Sequence, residues 1–213
     1  LPISISEPEE LKWEKENAAG ILASYRQQAS TVTGWDKEEL PVWINYFEGM
    51  VQSGPKIKTT LPDLTFTDSL WISGSRLRLK LVEFRNAHTS SDAVLLLPDL
   101  GIGFTGDLLF NQNHPFLGDG NADSLKQYLT GWLTSPPFKK LVPGHGPLSD
   151  LGTIQEEIRY INTLQEIVKT QQQEGKPDSV IVNAPIPAPY QRWYLSRFFR
   201  SNLSYLCRQA SGH

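Results

Sequence analysis

Apolar residues recur at helical spacing over the first fifty positions and then switch to strict alternation. Residues 7 to 30 are predicted as a helix, with Trp13, Ala18, Ile21, Leu22 and Tyr25 as its apolar stripe. Ser6 is its expected N-cap, and Pro8 and several acidic residues suit a first turn near the positive end of the helix dipole. A second helix is predicted over about 36 to 52, where Pro41 is tolerable only near the first turn. The stretch "STVTG" breaks the two.

From "LTFTDSLWISGSRLRLKLVEF" onward the period is two, with Leu77, Leu79 and Leu81 opposite Arg76, Arg78 and Lys80. "SGS" at 73 to 75 is a turn signal, so a β-hairpin is expected. The run Val94 to Leu97 reads as a strand buried on both faces, and a Pro-Asp-Leu-Gly turn leads to a further strand at Gly103 to Thr105. "NADSLKQYLTGWLTS" reads as an amphipathic helix and "KKLVPGHG" as a strand. The next helix carries a capping box at Thr153 and Glu156, a stripe of Ile154, Ile158, Ile161, Leu164 and Val168, and a stop at Gly175-Lys176-Pro177. "PIPAP" is a stiff extended spacer, and "YQRWYLSRFFRSNLSYLCRQ" is an aromatic-rich last helix packed on the core. Strands alternating with covering helices make an α/β layered architecture.

Composition narrows the function classes. At 213 residues the chain suits one large domain, or one domain with an appendage. A net charge of -3 gives no electrostatic reason to expect nucleic acid or an anionic membrane. The single cysteine, Cys207, excludes an internal disulfide and a cysteine-rich zinc knuckle. No apolar run reaches the ~18 residues of a membrane span, so a soluble protein is expected, cytoplasmic by default, with a periplasm left open. The opening "LPISISEPEE" lacks the features of a signal peptide and does not begin with Met, which points to a segment of a longer gene product.

The candidate chemistry lies in four histidines and one aspartate. His88, Asp107 and His145 each fall at a predicted strand end or in the loop beyond it, where an α/β fold gathers polar groups around a cleft. Imidazole and carboxylate are the donors zinc takes when thiolates are absent. In "PGHGP", Gly144 and Gly146 allow sharp backbone turns while Pro143 and Pro147 stiffen the flanks, a pedestal for one projecting ligand. Each residue also has a plain reading: His145 as a turn residue bonded to backbone, Asp107 as the cap of a short helix from Leu108, His88 as a loop residue. Their joint placement is what favours a site. His114 is a possible substrate contact or a loop residue, Asp119 and Asp123 are weaker candidates, and His213 ends the chain. Trp193, Tyr194, Phe198 and Phe199 are better explained as a helix packed on the core than as the rim of a pocket.

Ala87-His88-Thr89, Thr105-Gly106-Asp107 and Pro143-Gly144-His145-Gly146, spaced 19 and 38 residues apart from ligand to ligand, resemble the second half of the metallo-β-lactamase-fold hydrolases. The resemblance is strongest from 61 to 175, and the opening helices look like the spacer some members place between the two halves. It implies the C-terminal half of an αββα sandwich, divided as a helical segment at 1–60, the half-sandwich at 61–175, and a spacer with the aromatic helix at 176–213. It implies further that His88 binds a first zinc ion, His145 a second, and that Asp107, the catalytic carboxylate, bridges both. Two such ions, about 3.5–4 Å apart, would hold a nucleophilic hydroxide, and His114 falls where members carry a loop at the substrate mouth.

Three departures stand out. Ala87 and Ser91 replace glycines common in the family, which affects loop shape only. The third is larger, because no His-x-His occurs anywhere and no histidine precedes His88. The first half of the sandwich, with its His-x-His-x-Asp-His ligands, is therefore expected to be missing. Two ligands per metal are too few against the three or four that zinc uses. The expectation is a zinc-dependent hydrolase of an ester, thioester, lactam or phosphoester, of which this chain carries only part of the metal site, so that zinc is weak or absent in it alone. The alternative is a metal-free remnant acting as a binding or assembly module. A bare sheet face would favour self-association or union with the missing half.

Overall fold

The computed structural model describes residues 9–60 and 62–210, so the expected cap at Ser6, Pro8 and the terminal His213 lie outside the described residues. The chain divides into two compact units at Thr65/Phe66.

The first unit is a helix pair, α1 (Glu9–Gln28) and α2 (Trp35–Ser53). Ala18 and Leu22 of α1 are buried, as are Leu40, Trp43 and Phe47 of α2, and the Tyr25 and Phe47 rings meet at 5.8 Å. Glu39 is buried too, where its carboxylate accepts from the Trp43 indole N–H at 3.0 Å. Two expectations change. Trp13 is 56% exposed, outside the buried stripe. Pro41 sits inside α2 beyond its first turn. A helix tolerates this by losing the one N–H that proline lacks, provided its apolar residues stay packed.

The second unit is built on five strands: β1 (Ser69–Ser73), β2 (Arg78–Arg85), β3 (Ser91–Leu97), β4 (Ile102–Phe110) and β5 (Lys140–His145). They lie in chain order, antiparallel through β4, with β5 parallel to β4. The parallel step needs a crossover, which α3 (Ala122–Thr134) provides. α4 (Leu151–Gln173), the short α5 (Asp178–Ile181) and α6 (Arg197–Ala210) follow.

The register separates the two faces of the sheet. One row runs Trp71, Lys80, Leu96, Gly103, Leu141 across the strands, and its last three residues are buried. Phe138 lies so close over Gly103 that any side chain there would collide with its ring, and Trp132 packs against Phe138 and Phe84. The neighbouring row is Leu70, Leu81, Leu95, Phe104 and Val142. None of its residues is fully buried, and Phe104 is 41% exposed. β3 is therefore buried on one face, through Val94 and Leu96, not on both as its apolar run suggested.

Three boundaries move. β4 continues past Thr105 to Phe110, so Asp107 lies within the strand and not beyond it, and residues 108–110 are strand, which removes the reading of Asp107 as a helix cap. α4 begins at Leu151, capped by the Asp150 side chain on the Gly152 and Thr153 N–H groups, so the cap lies three residues before Thr153. Glu156 pairs with Arg159 instead. The last helix begins only at Arg197. Before it, Ala188–Tyr190 forms a 3-10 turn at the end of the proline spacer, and Leu195 adopts φ 63, which an α-helix cannot contain. No helix among the described residues is long and apolar enough to cross a membrane.

Candidate metal centre

Three segments bring His88, Asp107 and His145 together. His88 follows β2 in a turn where Asn86 takes φ 53 and donates its N–H to the Ser90 carbonyl. The Asp92 carboxylate organises this turn by accepting from the His88 N–H at 3.0 Å, the Thr89 N–H at 3.1 Å and the Thr89 hydroxyl at 2.9 Å. Asp107 lies in β4 within the second of two irregularities of the β4–β5 register, the one between Gly106 and Phe110, beside Gly106 at φ 54. A bulge of this kind re-aims a side chain out of the ladder. His145 ends β5, and its carbonyl accepts from the Asn111 N–H at 2.9 Å.

The Asp107 carboxylate stands between the two imidazoles. His88 Nε2 lies 3.7 Å from Oδ2 and His145 Nε2 lies 3.7 Å from Oδ1. Each imidazole faces a different oxygen of one carboxylate, at a separation too long for a hydrogen bond. His88 is nearly enclosed, whereas Asp107 and His145 are close to half open. The glycines of the pedestal are needed for close approach. A methyl on Gly144 would overlap Asp107 Oδ1, and one on Gly146, which sits at φ 95, would overlap the Asn111 carbonyl.

Phe110 walls the site from beneath. Its buried ring stacks on His145 at 4.9 Å and 19° and meets His88 at 5.9 Å. Behind it, buried Glu157 of α4 accepts the Phe110 N–H at 2.8 Å through Oε2. Burial pushes this carboxyl up to about 8; the Phe110 hydrogen bond opposes the shift and the charge of Asp107 adds to it.

The remaining candidates lie elsewhere. His114 is not at a substrate mouth, because its ring is fully buried, bonded through Nδ1 to the Tyr160 hydroxyl at 2.9 Å and boxed by Trp193 and Phe199. An imidazole flanked by that many aromatic residues in the chain belongs to the core. Burial pulls it down to about 4, with the Tyr190 carbonyl opposing. Asn202 of α6 ties the same region together, accepting from the Leu117 N–H at 2.9 Å and donating to the Pro115 carbonyl at 2.7 Å. Asp119 is exposed, and Asp123 sits in the first turn of α3 beside Lys126 and Gln165. Trp193 and Phe199 are buried while Tyr194 is partly exposed. A cavity of about 670 Å³ between α3, α4 and α6 is lined by none of the three ligands. A smaller one of about 410 Å³ borders Phe110, Asn111, Thr153 and Trp193.

Sequence reasoning missed Asp92, Phe110 and Glu157. Asp92 carried a signal, since an Asp shortly after Thr readily closes a side-chain turn. Glu157 carried another, as an acid three residues after Ile154 on the apolar stripe of α4. Phe110 carried none.

No protein-family model and no curated protein matches the chain. Among solved structures, the chain is similar to an inverting sec-alkylsulfatase from Pseudomonas sp., at 14% identity with a TM-score of 0.53, over 70% of this chain and 26% of that one. The chain carries part of the metallo-β-lactamase fold. A metallo-β-lactamase from Pontibacter korlensis aligns at 24% identity over 53% of this chain and 54% of its own, with a TM-score of 0.44. The DIM-1 metallo-β-lactamase aligns at 20% identity over 40% and 42%, with a TM-score of 0.36. The chain thus spans about half of the Pontibacter protein and about a quarter of the sulfatase.

Zinc is the metal implied by this fold, and the donors can be tested against it. Their types fit, two imidazoles around one carboxylate. Their number does not, since no group of three or more His, Cys, Asp or Glu side chains among the described residues is arranged to hold a metal ion. His88 Nδ1 is also buried without a hydrogen-bond partner among the described residues, whereas ligating histidines usually donate from the second ring nitrogen. The described donors do not fit a tightly held zinc.

Proposed function

We propose that this chain is the C-terminal part of a zinc-dependent hydrolase, giving His88 to one metal, His145 to another and Asp107 to both, with the remaining donors supplied from outside the chain. The observation supporting this reading is the placement of two imidazole Nε2 atoms on opposite oxygens of one carboxylate, each at 3.7 Å. In such an enzyme a bound metal would supply a hydroxide near neutral pH and polarisation of the substrate oxygen. The part of this chain is to hold the shared carboxylate rigid, through Gly144, and to present the imidazoles from fixed turns, through Asp92 and Gly146. The substrate class is an ester, thioester, lactam or phosphoester, among which the fold does not choose.

A second reading, a metal-free binding or assembly module, draws support from the partly exposed apolar row through Leu95 and Phe104 and from the shortage of donors.

A zinc titration of the purified chain, followed by the ring signals of the histidines, separates the two. The hydrolase reading expects His88 and His145 to respond together, far more weakly than the about 10–16 kcal/mol of structural zinc sites, and the joint response to vanish in Asp107→Asn. Imidazoles that ignore zinc at every concentration overturn that reading in favour of the module. Stoichiometric tight binding of two ions would instead show that the chain holds zinc alone.

A further inference from the structure

The β4–β5 register shifts between Gly106 and Phe110, which pairs with His145, and β3 pairs with β4 only at Ile102, Gly103 and Phe104, so Phe110 has no β3 strand beside it. Backbone N–H groups released inside a core need a partner. At Phe110 that partner is Glu157 Oε2, 2.8 Å away on α4 and 47 residues along the chain. Glu157 is enclosed among apolar residues of α4, and its other oxygen makes no hydrogen bond among the described residues. Keeping a carboxyl in such a place is costly, and the one hydrogen bond it makes goes to the residue whose ring touches both imidazoles. Phe110 stacks on His145 at 4.9 Å and meets His88 at 5.9 Å.

We infer that Glu157 is a positioning residue for the candidate site: by holding the Phe110 backbone through the bulge, it fixes the ring against which His145 stacks and His88 leans. The use of those imidazoles rests on the zinc reading above, but the coupling from Glu157 to their orientation does not. The chain Glu157, Phe110, imidazole acts from inside the core and touches no substrate.

Ring-proton spectra of His88 and His145 in the zinc-free protein test this. Glu157→Gln keeps an acceptor for the Phe110 N–H and is expected to leave both sets of signals in place. Glu157→Met removes the acceptor at similar size and is expected to shift the His145 ring protons downfield as the Phe110 ring current is lost. Asn202→Leu, which cuts a buried network elsewhere on the core, is expected to lower stability without moving either imidazole. A folded Glu157→Met protein with unmoved His88 and His145 signals overturns the inference, as does an equal shift in Asn202→Leu. If Glu157→Met fails to fold, Glu157→Leu, which also removes the acceptor, decides, with the same downfield shift expected and an unmoved His145 overturning it. Adding zinc to the wild type afterwards tests the other reading separately, since imidazoles that ignore the metal would leave the zinc-free comparison intact.

Discussion

Gly144 and Asp107 are in such close contact that the carboxylate occupies the space a methyl group at Gly144 would need. Backbone atoms of Gly106 and Asp107 would also lie within 2.9 Å of that methyl, so neither strand can yield easily. Gly144→Ala is expected to destabilise the second unit by about 1–3 kcal/mol, the usual cost of forcing atoms into a packed site. It should also displace Asp107 from between the imidazoles. Urea unfolding measures the first effect and the His88 and His145 ring signals the second.

His114 sets an acid limit. Its folded value of about 4 lies below the ordinary value near 6.5, because burial disfavours the charged ring. The unfolded chain therefore binds a proton first, so stability is full above pH 6.5 and falls as pH drops towards 4. The loss is about 3 kcal/mol. Unfolding curves across this range should show it, and His114→Gln should flatten the dependence there.

Glu157 acts in the opposite sense. Its carboxyl titrates near 8 when folded and near 4.5 when exposed, so its burial carries no ionisation cost below pH 4.5 and a progressively larger one up to pH 8. Glu157→Gln is expected to gain stability over the wild type with rising pH, by up to about 4 kcal/mol at pH 8. A difference between the two proteins that stays constant with pH would contradict this.

Asn202 satisfies two backbone groups of the segment after β4, on Pro115 and Leu117. Asn202→Leu leaves both without partners in the core and is expected to cost about 3 kcal/mol. Chemical denaturation measures the loss.

The partly exposed apolar row on the sheet is expected to drive association with a second copy. Light scattering of the wild type should report a mass that rises with concentration, and Phe104→Glu or Leu95→Glu should suppress the rise. A wild-type monomer at all concentrations would refute the expectation.

Local pattern alone determined the main helices and the hairpin, because periodicity records which face of an element meets the core. It also singled out His88, Asp107 and His145, since glycine and proline around a polar residue are visible as letters. Tertiary structure alone decided what those letters do. Asp107 entered a strand because β5 gave β4 a parallel partner with a shifted register, an event 38 residues away in sequence. Gly144 is required by the approach of another strand, with no need for a left-handed backbone. His114 entered the core because α4 and α6 close over its loop. Periodicity is a short-range signal, whereas burial and close contact are set by segments that meet only after the chain has folded.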